Sequence, residues 1–169
     1  QIKDIESLIE RKVDLLIVAP NEAEAITPVI EKAYDAGIPV ILVDRKINSK
    51  KYTAYVGADN YEIGRKAGEY IADRLGGKGR VIEITGLRGS TPAVERHRGM
   101  MEALKAAPGV QVVASAEAGW FRQKAGEVMD TLLDAHPQVN LVFAQNDRMA
   151  IEAYEKARQK NRAGQIAFV

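Results

Sequence analysis

The sequence contains no cysteine in its 169 residues. Disulfides and thiolate chemistry are therefore excluded, while the compartment stays open, because an oxidising space permits disulfides without requiring them. A charge excess is lacking too: 24 lysines and arginines stand against 23 aspartates and glutamates. That balance argues against nucleic acid or an anionic membrane as the main partner, since both favour a basic surplus. His97 and His136 are the only histidines and lie far apart in the chain, so a histidine-rich metal site is not expected. No apolar run approaches the length of a membrane span, and the opening residues do not read as a signal peptide. Nucleotide and hydrolase signatures are missing as well. Gly76-Gly77-Lys78-Gly79 lacks the Walker spacing and reads as a helix stop and turn, and there is neither a G-x-G-x-x-G nor a G-x-S-x-G. The sequence thus points to no cofactor and to no nucleophile–base pair, and a non-enzymatic role is expected.

What is present is ordinary globular material, 46% hydrophobic, long enough for one large or two small domains. Ile2, Ile5, Leu8 and Ile9 fall on one helical face, followed by a strand over 13–18. Asn21, with Glu24 three residues on, reads as the cap of a helix ending near Gly37. Strands are expected over 38–43 and 52–56, and then a long helix capped by Asp59 and stopped by Gly76-Gly77. Beyond it come strands over 81–84, 110–114 and 141–144, alternating with helices over 92–106, 123–135 and 146–159. Strand and helix alternating through short connections is the mark of a doubly wound parallel sheet, an α/β fold. The αβ pattern restarts after Gly57-Ala58-Asp59-Asn60, which places a boundary there without any Pro-rich linker. Gln1 leads directly into a helical pattern and Ile166-Ala167-Phe168-Val169 ends inside a strand, so the sequence reads as a fragment of a longer protein.

Candidate site residues gather where strands end, the place where open α/β sheets bind ligands. The apolar run Ile38-Pro39-Val40-Ile41-Leu42-Val43 delivers an acceptor-only carboxylate, Asp44, beside a five-donor guanidinium, Arg45, as a hydroxyl-rich ligand requires. A solvated loop pair is the plainer reading. The segment over 86–98 follows another strand and opens a helix; Arg96 in its first turns could reach a cleft, or the segment could be a Thr91–Glu95 capping box with solvated basic residues. Trp120 is the sole tryptophan and sits in a loop after a strand, where its ring could stack on a sugar's C–H face or pack into a core. Asn146 begins a helix and could cap it, bond a ligand, or do both.

Taken together, Val43-Asp44-Arg45, Gly57-Ala58-Asp59-Asn60, the segment over 86–98, Ala135-His136-Pro137 and Phe143-Ala144-Gln145-Asn146-Asp147-Arg148-Met149-Ala150 resemble the type I periplasmic sugar-binding proteins, most closely the ribose-binding branch. The resemblance spans the whole chain. It implies two Rossmann-like lobes of mostly parallel sheet, with residues 1–58 forming part of the N-terminal lobe and 59–169 most of the C-terminal lobe. It further implies a periplasmic pentose- or hexose-binding module that closes by a hinge motion around the sugar between its lobes. Asp44 and Arg45 would bond sugar hydroxyls from the first lobe, and Arg96, Trp120 and Asn146 from the second. Ala58 stands where ribose binders tend to carry a serine, and Trp120 replaces a usual phenylalanine, so the sugar need not be ribose. The implied partner is an ABC permease or a membrane sensor kinase of a two-component system. The alternative is the effector domain of a LacI-family transcription regulator.

Overall fold

The computed structural model describes every residue, Gln1–Val169. The chain folds as two compact units, one made of Gln1–Asp59 with Gly89–Val94 and the other of Asn60–Arg88 with Glu95–Val169. Both are α/β with parallel sheets throughout. No helix is long and apolar enough to cross a membrane.

The first unit holds a three-stranded sheet of order β1-β2-β3, with β1 at Leu16–Val18, β2 at Val40–Val43 and β3 at Ala54–Val56. Helices α1 (Ile2–Glu10) and α2 (Ala23–Asp35) supply Ile5, Ile26, Val29, Ile30 and Ala33 to a core shared with Leu16, Val18, Val40 and Leu42. Successive strand residues point to opposite faces, so Ile17, Ile41 and Val56 belong to the other face. There Ile17 is 63% and Val56 61% exposed. Helix α2 begins one residue later than the Asn21–Glu24 pattern implies. Its N-cap is Glu22, which makes no side-chain capping bond, while the Asn21 N–H donates to Gln1 Oε1 at 3.0 Å. Gly37 takes φ +81° just after the helix, a left-handed turn that only glycine adopts without strain.

The second unit holds a four-stranded sheet of order β5-β4-β6-β7, with β4 at Lys78–Thr85, β5 at Gly109–Glu117, β6 at Leu141–Ala144 and β7 at Ala167–Phe168. Strands β4 and β5 run longer than the sequence pattern indicated. Both faces are covered. Helices α5 (Arg122–Ala135) and α6 (Asp147–Gln159) pack Ala125, Met129, Met149 and Ala153 against Ile82, Ile84, Val142 and Ala144. On the opposite face, Ile71 of α3 (Asn60–Arg74) and Met100 and Leu104 of α4 (Thr91–Leu104) meet Val81, Leu141 and Phe143. Burial on both faces is why β6 reads as an unbroken apolar run and is buried along its length.

Helices α3 and α4 touch backbone to backbone. A Cβ on Gly64 would overlap the Arg96 carbonyl, and one on Gly99 would overlap the Tyr61 carbonyl. This contact decides where the first turns of α4, and Arg96 with them, lie against α3.

Candidate functional site

Asp44, Arg45, Trp120 and Asn146 sit at the carboxyl end of a strand or in the loop that follows it, and Arg96 lies in the early turns of α4, the helix after β4. In the first unit β2 ends at Val43 and the backbone turns at once through Asp44, φ +65°. Aspartate tolerates this left-handed conformation better than most residues. The turn is held by the Asp44 N–H donating to the Val56 carbonyl at 2.9 Å and by the Tyr55 hydroxyl donating to the Asp44 carbonyl at 3.1 Å. The Asp44 carboxylate points to solvent, with its side chain 67% exposed, whereas the Arg45 side chain is 19% exposed. Arg45 Nη1 reaches the carbonyls of Asn21 at 3.3 Å and Pro20 at 3.5 Å, and its Nε lies 3.6 Å from Asp44 Oδ2. The pair is thus a largely buried cation with a solvent-facing anion at its side, presented on the loop after β2.

The segment over 86–98 divides between the two units. Gly89 and Thr91 belong with the first, where the Gly89 carbonyl accepts from Ala23 N–H at 3.0 Å and Thr91 Oγ1 accepts from Lys46 N–H at 2.8 Å. The Thr91 hydroxyl is therefore engaged by the loop after Arg45.

In the second unit the candidates cluster. Arg96 Nε donates to Asn60 Oδ1 at 2.9 Å, its Nη1 donates to the Gln145 carbonyl, and its guanidinium lies 5.6 Å from the Trp120 ring centroid. Trp120 is partly buried and packs against the core of α5 and α6. Its backbone takes φ +73°, an uncommon state for a bulky residue and one that clusters at ligand sites. The indole lies over Gly86, where any Cβ would collide with it. Asn146 takes the capping role foreseen for it. Its Oδ1 accepts from Met149 N–H at 2.9 Å as the N-cap of α6, and its Nδ2 reaches the Trp120 carbonyl at 3.4 Å. An amide has two donors and two lone pairs, so capping still leaves it hydrogen-bonding capacity.

Chemically, this is a guanidinium, an amide and an aromatic face held in register at the ends of β4, β5 and β6. Such a set has the chemistry to donate to, accept from and stack on a polyol. Beneath it, Ser115 Oγ donates to Glu83 at 2.9 Å, and His97 Nδ1 lies on the same carboxylate at 2.8 Å. Among the described residues no group of acidic, histidine or cysteine side chains is arranged to hold a metal ion.

Sequence reasoning gave no role to Asn60, Glu83 or Gln145, which anchor this cluster. A signal existed for Glu83, an acid in the midst of the apolar run Val81-Ile82-Glu83-Ile84. Asn60 and Gln145 lay inside motifs already singled out, but nothing in their spacing tied them to Arg96.

Comparison with known proteins shows the family of the chain. The family model described as periplasmic binding protein domain matches residues 1–169. A D-ribose/D-allose-binding protein of Pseudomonas aeruginosa is 35% identical over 175 residues, covering 100% of this chain and 54% of that protein. The ribose import binding protein of Escherichia coli strain K12 is 37% identical over 153 residues, covering 90% of this chain and 51% of that protein. Among solved structures, the fructose-binding periplasmic domain of a hybrid two-component system superposes with a TM-score of 0.95 at 51% identity, over 98% of this chain and 55% of that one. The chain spans about half the length of the curated relatives it matches.

Proposed function

The chain belongs to the type I periplasmic sugar-binding protein family, and on that premise we propose that it is part of an extracytoplasmic, periplasmic module that binds a pentose or hexose and reports it to a membrane partner. The observation that carries the reading is the second-unit cluster. Arg96 is clamped by Asn60 and Gln145 beside the Trp120 ring and Asn146, at three adjoining strand ends.

The physical logic is preorganisation. A sugar offers hydroxyls at fixed angles and apolar C–H faces between them. Holding the guanidinium and amide in one orientation before the ligand arrives removes ordering entropy from the cost of binding. The indole supplies a flat apolar surface for the C–H face. From the first unit, Asp44 and Arg45 supply an acceptor and a donor for further hydroxyls. Residues 1–58 are taken as part of one lobe and 59–169 as most of the other.

Support for a sensor role comes from the 51% identity to the fructose-binding domain of a hybrid two-component system. The relatives named for import support uptake through an ABC permease as the second reading. Isothermal calorimetry of the full-length protein against a panel of pentoses and hexoses, fructose, ribose and allose included, tests the proposal. Saturable heat with at least one monosaccharide is expected, and silence across the panel overturns it.

A further inference from the structure

Glu83 lies on β4, flanked on both sides by other strands and fully buried. A carboxylate there is costly unless its oxygens are met. They are met from three elements. Ser115 Oγ of β5 donates to Oε2 at 2.9 Å, His97 Nδ1 of α4 lies 2.8 Å from the same oxygen, and Gln145 Nε2, just past β6, donates to Oε1 at 3.0 Å. An apolar residue of similar volume often packs such a position as well or better. Stability alone is therefore a poor reason for an acid here, and what it holds in place is the better guide.

It holds Gln145, whose own Oε1 accepts from the Gly86 N–H at 3.0 Å. The side chain of Gln145, itself 2% exposed, thereby joins Glu83 to the glycine on which the Trp120 indole rests. Its main-chain carbonyl takes the Arg96 guanidinium, and the next residue is Asn146. One buried residue thus meets the support of Trp120 through its side chain and Arg96 through its main chain, and adjoins Asn146 in the chain.

We propose that Glu83 and Gln145 are positioning residues for sugar recognition: they fix Arg96, Trp120 and Asn146 from behind without touching the ligand. The inference rests on the sugar-binding reading above and deepens it. Sugar affinity is then set partly by two residues below the binding surface, and it depends on hydrogen bonding at Gln145 rather than on its volume.

The test is calorimetry on the full-length protein with whichever monosaccharide of the panel binds the parent. Gln145→Met keeps length and apolar volume but removes both hydrogen bonds. It is expected to weaken binding at least about tenfold, the scale of leaving a buried donor unmet. Gln145→Asn, which withdraws the amide by one methylene and is the gentler change, is expected to weaken it several-fold. Glu83→Gln can still offer a carbonyl to Gln145 and is expected to bind within about threefold of the parent, whereas Glu83→Leu is expected to lose about tenfold or more. In an Arg96→Lys background the Gln145→Met loss is expected to shrink, because residues sharing one network are non-additive. A purely structural role would instead lower thermal midpoints, leave the dissociation constant of the folded protein within about twofold, and add independently to Arg96→Lys. That pattern overturns the inference while sugar binding by the parent stands. A parent silent against the whole panel overturns the sugar reading and this inference with it.

Discussion

The two sheets of this chain treat their candidate residues differently. In the second unit, helices cover both faces, and Arg96, Trp120 and Asn146 are tied to one another and to buried polar side chains. In the first, α1 and α2 pack against one face. Asp44 and Arg45 are held there mainly by backbone groups, with the carboxylate in solvent. One set is therefore wired into its core, while the other is carried on a loop. The lesson is that a site residue's effect on stability and its effect on ligand affinity should separate in the first unit and travel together in the second.

The sharpest way to break the contrast is to truncate one isoleucine in each sheet of this 169-residue chain. Ile82→Ala, in the fully buried core of β4, is expected to cost roughly 2–5 kcal/mol by denaturant unfolding. Ile17→Ala, at a side chain 63% exposed within this span, should stay within about 0.5 kcal/mol. Comparable costs would mean that Ile17 is not exposed as described. Next in size is Gly64→Ala, whose new Cβ overlaps the Arg96 carbonyl. A loss of about 1–3 kcal/mol should come with weakened sugar binding, because α4 must shift and carry Arg96 with it. Stability loss at unchanged affinity would detach Arg96 from the site.

Trp120→Ala is expected to weaken sugar binding by roughly 1–3 kcal/mol, the scale of burying an aromatic side chain, and to lower the thermal midpoint as well, since the ring also packs on the core of α5 and α6. Asp44→Asn, which removes the charge but keeps a side chain that tolerates the left-handed backbone at this position, should weaken binding without lowering the midpoint, and a clear stability loss there would erase the distinction between the two sets. The smallest effect belongs to the surface of α3. The Arg65 guanidinium bonded to Glu62 holds that carboxyl below its usual 4.5. A lowered folded pKa means that the pair's contribution is present above the unfolded value and fades as pH falls through the folded one. The small midpoint gap between the parent and Glu62→Gln should therefore close as pH drops below 4.5. A gap that widens in acid would contradict the assignment.

Much of this architecture was legible in the sequence because it rests on periodicity and punctuation. The buried run of β6, the Gly37 and Gly76-Gly77 stops and the αβ alternation each follow from local physics. Where local signals competed, the reading slipped. Asn21 has the chemistry of a cap, yet α2 starts from Glu22, and Asn21 instead takes Gln1 through its backbone. The meeting of Asn60, Glu83 and Gln145 with Arg96 was not legible, because residues from four separate elements converge only through the sheet order β5-β4-β6 and the glycine contact between α3 and α4. The left-handed backbone at Trp120 was equally invisible, since nothing in a sequence marks a tryptophan for positive φ.

Trp120, the one tryptophan in this sequence, is the proposed aromatic wall of the sugar site. Its emission is therefore the most direct measurement, read as the difference between the full-length parent and its Trp120→Phe variant during titration with the calorimetry panel. A saturable change in that difference signal, with the same midpoint as the calorimetric binding curve, is the expected result. Binding heat with no change in Trp120 emission, and unchanged affinity in Trp120→Phe and Trp120→Ala alike, would contradict it.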